Sequence, residues 1–279
     1  MKLSEAFNMY INDNLYFQHR SKSVQEHYGY YRNSIVFFTG NKEIEKLSID
    51  DVRNWEKYLF EARCQNTVRG YICALKQVLK YAIIRGIKCI DPALIFVPQR
   101  IPVTVSYVTP ADVRKLISCS SNVRTKFIIS FLYASGVRLS EMIQLNRDSI
   151  KNRQFTVIGK GKKERLCFID ERTENLMDEY LSSRNDNNKA LIVTNLFKDR
   201  ISDSTVQLII KNAVQRAGLK KHITPHTFRH GHATNLLRNG ADIRYVAQDL
   251  GHANLSTTMI YTHIENPDLR EKYERCHTI

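Results

Sequence analysis

Three of the chain's six prolines, Pro92, Pro98 and Pro102, crowd into one short stretch and divide the sequence there. Proline fixes φ and lacks a backbone N–H, so this stretch belongs neither inside a helix nor in the middle of a sheet. Helically periodic sequence lies on both sides of it. The expectation is two domains, residues 1–92 and 107–279, joined by a linker over 93–106. A chain of 279 residues is long enough to build two cores.

Four helices are expected in the first domain. One covers about 3–16, and a second covers 21–38 and stops at Gly40, a favourable C-terminal residue. Ser48 and Asp51 have the spacing of a capping box for a third helix carrying Trp55, Tyr58 and Leu59. Asn66 is the expected cap of the fourth, where Val68, Tyr71, Ile72, Leu75, Val78, Leu79, Ala82 and Ile83 keep helical spacing until Gly86. In the second domain, Thr109, Pro110 and Asp112 supply a cap, a first-position proline and a first-turn acid. An apolar helix follows over 123–134 and breaks at Gly136. Residues 155–158 and 165–169 read as strands of one hairpin, and helices are expected near 171–182, 203–217, 225–238, 242–249, 256–263 and 267–276. The fold class is therefore mainly α, with one small antiparallel β-sheet in the second domain.

Lys and Arg number 42 against 28 Asp and Glu, a net charge of +14, which favours a polyanionic partner. The six cysteines form no C-x-x-C pair, which fits reduced thiols rather than a disulfide frame or a zinc site. Apolar runs such as 127–134 are too short to cross a bilayer, and residues 1–5 lack a signal-peptide core. A cytoplasmic protein without a membrane partner is expected.

Four clusters carry candidate chemistry: Arg138 to Glu141, the lysine-rich turn Gly159 to Glu164, His226 to His230, and Leu250-Gly251-His252 with Tyr261 nine residues beyond His252. Cleaving a phosphodiester without a metal needs guanidiniums on the non-bridging oxygens, a nucleophile, and a proton for the leaving oxygen. Tyrosine, with an ordinary pKa near about 10, needs a base or nearby cations to attack at neutral pH. Arg138, Arg229, Lys160, His226, His252 and Tyr261 match those needs by residue type. Each has a plainer reading alone. Arg138 pairs naturally with Glu141 on a surface, the lysine turn is ordinarily solvated, and a lone tyrosine on a short helix usually packs. His222, His226 and His230 share a helical face with His232 nearby, which invites a metal, yet no Cys or acid lies in the segment to complete a site.

Order and spacing decide among these readings. The segments Ser135-Gly136-Val137-Arg138-Leu139-Ser140-Glu141, Ile158-Gly159-Lys160-Gly161-Lys162-Lys163-Glu164-Arg165, Thr224-Pro225-His226-Thr227-Phe228-Arg229-His230 and Val246-Ala247-Gln248-Asp249-Leu250-Gly251-His252 through Tyr261 to His263 together resemble the tyrosine recombinase, or phage integrase, family, most closely its compact Xer-like members. The resemblance covers about 3–275. It implies that Arg138 and Arg229 grip the scissile phosphate and that Lys160 is the general acid for the 5′-hydroxyl, with Lys162 and Lys163 touching backbone. His226 and His252 would hydrogen-bond the phosphate, and Tyr261 would attack to give a 3′-phosphotyrosine. Glu141 would orient its neighbours and His230 would be structural. Gly231-His232 departs from the family pattern, with a local effect expected. The first domain would be a SAM-like core-binding domain, and the two domains together would close a C-shaped clamp on a double-stranded DNA recombination site.

No cofactor is expected. Transesterification conserves the phosphodiester energy, and the chain has neither a G-x-x-x-x-G-K-[ST] loop nor a carboxylate cluster for two metals. Residues 266–275 form either a tail that docks on a neighbour in a homotetramer, or a heterotetramer with a paralogue, or a terminal helix folded on its own domain. Three functions stand: site-specific recombination (Xer-type dimer resolution of a chromosome or plasmid, or mobile-element integration and excision), relaxation of DNA as by a type IB topoisomerase, and non-catalytic DNA binding. The segment from Leu250 to Tyr261 and the core-binding domain favour the first.

Overall fold

The computed structural model describes residues 1–18, 22–101, 106–159, 163–196, 198–252 and 256–259. By its internal contacts the chain forms two compact units, Met1–Val103 and Thr104–Ile279.

The first unit is built from α1 (Leu3–Tyr10), α2 (Lys22–Thr39), α3 (Ile49–Ala62) and α4 (Gln65–Ile84). The helix expected over 3–16 loosens after Tyr10 into a wider π-type turn, Ile11–Tyr16. Asp51 N donates to Ser48 Oγ at 3.1 Å and Ser48 N to Asp51 Oδ2 at 2.8 Å, so the expected capping box opens α3. The predicted stripe of α4 is buried from Val68 through Ala82 and packs with Phe7, Ile35, Trp55 and Leu59.

Asn66 does not cap α4, which begins two residues earlier, at Gln65 with Cys64 in the cap position. Its amide instead holds Ile101, donating to the carbonyl at 2.9 Å and accepting from the N–H at 3.0 Å. Arg69 donates to Pro98 O at 2.7 Å and Lys76 to Ile95 O at 2.6 Å. The proline-bearing stretch cannot use a full set of backbone donors, and its carbonyls are satisfied by side chains along one helix. Ile95 lies in this unit's core.

The second unit contains α5 (Pro110–Ser118), α6 (Val123–Ser135), α7 (Leu139–Gln144), β1 (Gln154–Ile158), β2 (Glu164–Phe168), α8 (Glu171–Ser182), α9 (Asp203–Arg216), α10 (Pro225–Arg238), α11 (Ile243–Leu250) and α12 (Ser256–Met259). Helix α6 is apolar nearly all round and therefore central: Phe127, Ile128, Ile129, Phe131 and Leu132 are wholly buried, and α5, α8, α9 and α10 pack on it. β1 and β2 pair antiparallel, from Gln154 opposite Phe168 to Ile158 opposite Glu164. Phe155, Val157 and Cys167 face the core. β2 starts one residue before its expected position. The six-residue α7 has no counterpart in the sequence expectations, being too short to display a period. Of the helix expected over 256–263, residues 256–259 are helical, and the helix expected over 267–276 lies outside the described residues.

Gly231 is where α10 meets the chain entering α5. An added Cβ there would lie 2.2 Å from the carbonyl oxygen of Val108, whose N–H bonds Thr227 O at 3.2 Å. Gly231→Ala is expected to destabilise this unit by about 1–3 kcal/mol, seen as a lower urea midpoint. Gly29 in α2 has nothing within 4 Å of its Cβ position, and Gly29→Ala is expected to raise stability by up to ~1 kcal/mol through helix propensity.

Candidate active site

One buried carboxylate organises the site. Glu141, in the first turn of α7, accepts from the backbone N–H of Arg138 at 2.8 Å and from Arg138 Nη1 at 2.8 Å. Arg165, projecting from β2, grips the same carboxylate with two hydrogen bonds of 2.8 and 2.7 Å. Its Nε donates to the carbonyl of Asp249 at 2.9 Å, tying β2 to the end of α11. Burial acts to raise the Glu141 pKa, but the Arg165 bonds, the Arg138 N–H and the two guanidinium charges outweigh it and bring it to about 2. Side-chain exposure separates the two arginines: 8% for Arg165 and 32% for Arg138. Arg165 is sealed in, whereas Arg138 faces outward with its geometry set from behind.

The hairpin ends beside this pair. Gly159 N donates to Lys163 O at 2.8 Å, and a Cβ on Gly159 would lie 3.6 Å from Arg165 Nη1 and 3.9 Å from Arg138 Nη1. Lys160 directly follows Gly159; Lys160 and Lys162 lie outside the described residues.

Arg229 comes from the first turns of α10 and is only 5% exposed. It donates through Nη1 to Gly136 O at 2.7 Å and through Nη2 to Leu250 O. Gly136 and Gly251 end α6 and α11 in the left-handed conformation, at φ +59° and +63°. Arg229 thus holds together the turn that presents Arg138 and the turn that presents His252. His252 Nδ1 lies 2.9 Å from Thr258 Oγ1 of α12, a residue that is completely buried. Burial, then the charges of Arg229, Arg138 and Arg165, lower the His252 pKa to about 4, so its imidazole is neutral at physiological pH. Burial, His226 and Arg229 do the same to His230, also to about 4.

Arg138, Arg229 and His252 are therefore brought together, with the residue before Lys160 against Arg138. His226 sits exposed in the first turn of α10, close enough to His230 to influence its protonation. Tyr261 lies outside the described residues, two positions beyond the last described residue of α12. Among the described residues no group of three or more His, Cys, Asp or Glu is arranged to hold a metal.

Two residues of this site were given no role by the sequence, Arg165 and Asp249, although both lie inside segments that resemble the family. Nothing in a strand arginine or a helix-end aspartate marks it as a hub before the fold is known. His232 also requires correction. The departure at Gly231-His232 is not local: the ring reaches Tyr133 O on α6 and Asp249 Oδ2 on α11, each at 2.9 Å.

Comparison with known sequences bears on this arrangement directly. Residues 106–267 match the model of the phage integrase family, more than half of the chain. The chain belongs to the phage integrase family. Among its relatives are the tyrosine recombinase XerC of Histophilus somni, 30% identical over 91% of this chain and 96% of that protein, and the tyrosine recombinase XerA of Pyrococcus horikoshii, 32% identical over 93% and 90%. A crystal structure of a XerA recombinase aligns over 99% of both chains with 28% identity and a TM-score of 0.56. The integrase fold recurs in a lambda integrase dimer bound to a core site, with TM-score 0.81 and 14% identity over 95% of this chain and 79% of that one. It recurs again in the Tn1549 transposon integrase in complex with a circular intermediate DNA, with TM-score 0.80 and 16% identity over 99% and 100%.

Glu141→Gln removes the charge that both arginines share, and a loss of about 3 kcal/mol is expected. Because the folded pKa is depressed, the contribution is complete above the ordinary value of 4.5 and is lost as pH falls toward about 2. The gap in melting temperature between wild type and Glu141→Gln should hold at neutral pH and close across that acid range.

Proposed function

We propose that the chain is a site-specific DNA recombinase that breaks and rejoins strands through a 3′-phosphotyrosine at Tyr261. The observation that carries this reading is the convergence of Arg138, Arg229 and a neutral His252, on three different elements, at the end of the hairpin that leads into Lys160. Two guanidiniums and uncharged imidazole donors are what a phosphodiester with growing negative charge requires. The cations would also favour the phenolate of an attacking tyrosine.

In this scheme Arg138 and Arg229 hold the non-bridging oxygens, and His226 and His252 hydrogen-bond the phosphate. Tyr261 Oη attacks phosphorus, the bond to the 5′-oxygen breaks, and Lys160 delivers the proton to that oxygen. Rejoining is the reverse, with a 5′-hydroxyl attacking the phosphotyrosine and the tyrosine leaving. The bond energy stays in the protein–DNA link, so no nucleotide is consumed. The first unit is assigned to gripping duplex DNA as a core-binding domain, and the net charge of +14 over the whole chain favours such a polyanionic partner. A cytoplasmic enzyme acting as a tetramer, of this chain alone or with a paralogue, fits the strand exchange between two duplexes. Similarity to Xer-named relatives across more than nine-tenths of the chain favours dimer resolution of a chromosome or plasmid, and the integrase fold leaves mobile-element integration and excision as the second reading.

The test uses a duplex site selected from a random pool by binding, nicked so that the cleaved fragment diffuses away. Wild type should form a covalent adduct and Tyr261→Phe none. Arg138→Ala should slow cleavage by about 10²–10³-fold. Lys160→Ala should be similarly slow on normal DNA but restored on a strand with a bridging 5′-sulfur, whose leaving group needs no acid. Strand exchange between two duplexes supports recombination, whereas supercoil relaxation alone would move the assignment to a topoisomerase.

A further inference from the structure

His232 sits three residues after Arg229 on α10 and is not used by the chemistry above. Its two ring nitrogens each face an oxygen at 2.9 Å: Nδ1 the carbonyl of Tyr133 at the end of α6, and Nε2 the Oδ2 of Asp249 on α11. The side chains are 12% and 7% exposed. A carbonyl oxygen only accepts, and an ionised carboxylate only accepts, so both contacts are hydrogen bonds only when both ring nitrogens carry protons. The backbone is built around this ring. A Cβ on Gly136, two residues before Arg138, would lie 2.5 Å from His232 Cδ2. Asp249 in turn immediately precedes Leu250, Gly251 and His252, and its own carbonyl accepts from Arg165.

Arg229 therefore joins the Gly136 and Leu250 turns through their carbonyls, and the His232–Asp249 pair joins the same two regions a turn further along α10. We infer that His232 and Asp249 are positioning residues: a hydrogen-bonded latch that sets the Gly136 turn and the Gly251 turn at the spacing in which Arg138, Arg229 and His252 meet one phosphate. The consequence for catalysis rests on the recombinase reading; the latch itself does not.

Other titratable groups stand on the elements packed against α10 and α11. From β2 come Arg165, which is matched by Glu141 of α7, and the Cys167 thiol, which burial pushes up to about 11 and so leaves neutral. From α6 comes the Tyr133 phenol, raised by burial to about 12 and also neutral, and α10 itself contributes Arg229.

Two measurements on the full chain test this. In protein with ¹⁵N-labelled histidine, one ring N–H should be held in a hydrogen bond and protected from exchange with solvent, and that signal should vanish in His232→Phe and move in Asp249→Asn. If no imidazole of that kind is present, the latch is overturned. The second measurement is adduct formation on the selected nicked duplex. His232→Phe and Asp249→Leu should each lower the rate by about tenfold or more, because each strands its partner. The double variant His232→Phe/Asp249→Leu, which replaces the pair by apolar packing, should recover to within about threefold of wild type. A double variant as slow as the product of the singles contradicts the positioning role. Absence of any wild-type adduct counts against Tyr261 chemistry, and the nitrogen spectrum still decides the latch.

Discussion

The shared carboxylate of Glu141 is the contact on which the rest of the site depends. Two guanidiniums close enough to serve one pocket repel each other, and an unpaired buried charge is costly. Glu141 resolves both problems with four hydrogen bonds. Because Arg165 is bidentate and buried, it fixes the carboxylate; because the carboxylate is fixed, Arg138 is aimed while still facing solvent. Arg165 carries the constraint onward to α11 through Asp249 O. A single anion thus connects α7, β2 and α11, three elements that share no sequence neighbourhood.

The same cluster governs the protonation of its neighbours. Three guanidiniums and burial keep His252 neutral, which suits a hydrogen-bonding partner for phosphate better than a fixed third charge would. Its other face leans on Thr258, so the state of the imidazole is read directly by α12, the helix that leads toward Tyr261. Preorganisation of this kind costs nothing further when negative charge develops on the phosphate.

Much of this was legible in the sequence, for identifiable reasons. Cap chemistry is local, so Thr109 with Asp112 and Ser48 with Asp51 marked helix starts that the structure reproduces. Apolar patterning is also local: α4 followed from its helical period and α6 from its nearly continuous apolar run. Asn66 shows the limit: a good cap residue was taken instead by Ile101, a partner thirty-five positions away. The short α7 escaped because six residues show no period, although its Arg138 and Glu141 were singled out by residue type. Arg165 and Asp249 lie inside the family-like segments and His232 was marked as a departure from the pattern, but the contacts that give them their roles come only from tertiary neighbours. The roles given to Lys160 and Tyr261 rest on spacing and on what lies next to them, since both fall outside the described residues.

The central claim is that Tyr261 is the atom donor to the covalent bond with DNA. The direct measurement is to digest the trapped protein–DNA adduct and locate the nucleotide by tandem mass spectrometry. The account predicts a single modified peptide, carrying the nucleotide on Tyr261 through its 3′-phosphate. Modification of any other residue, or linkage through a 5′-phosphate, would contradict it.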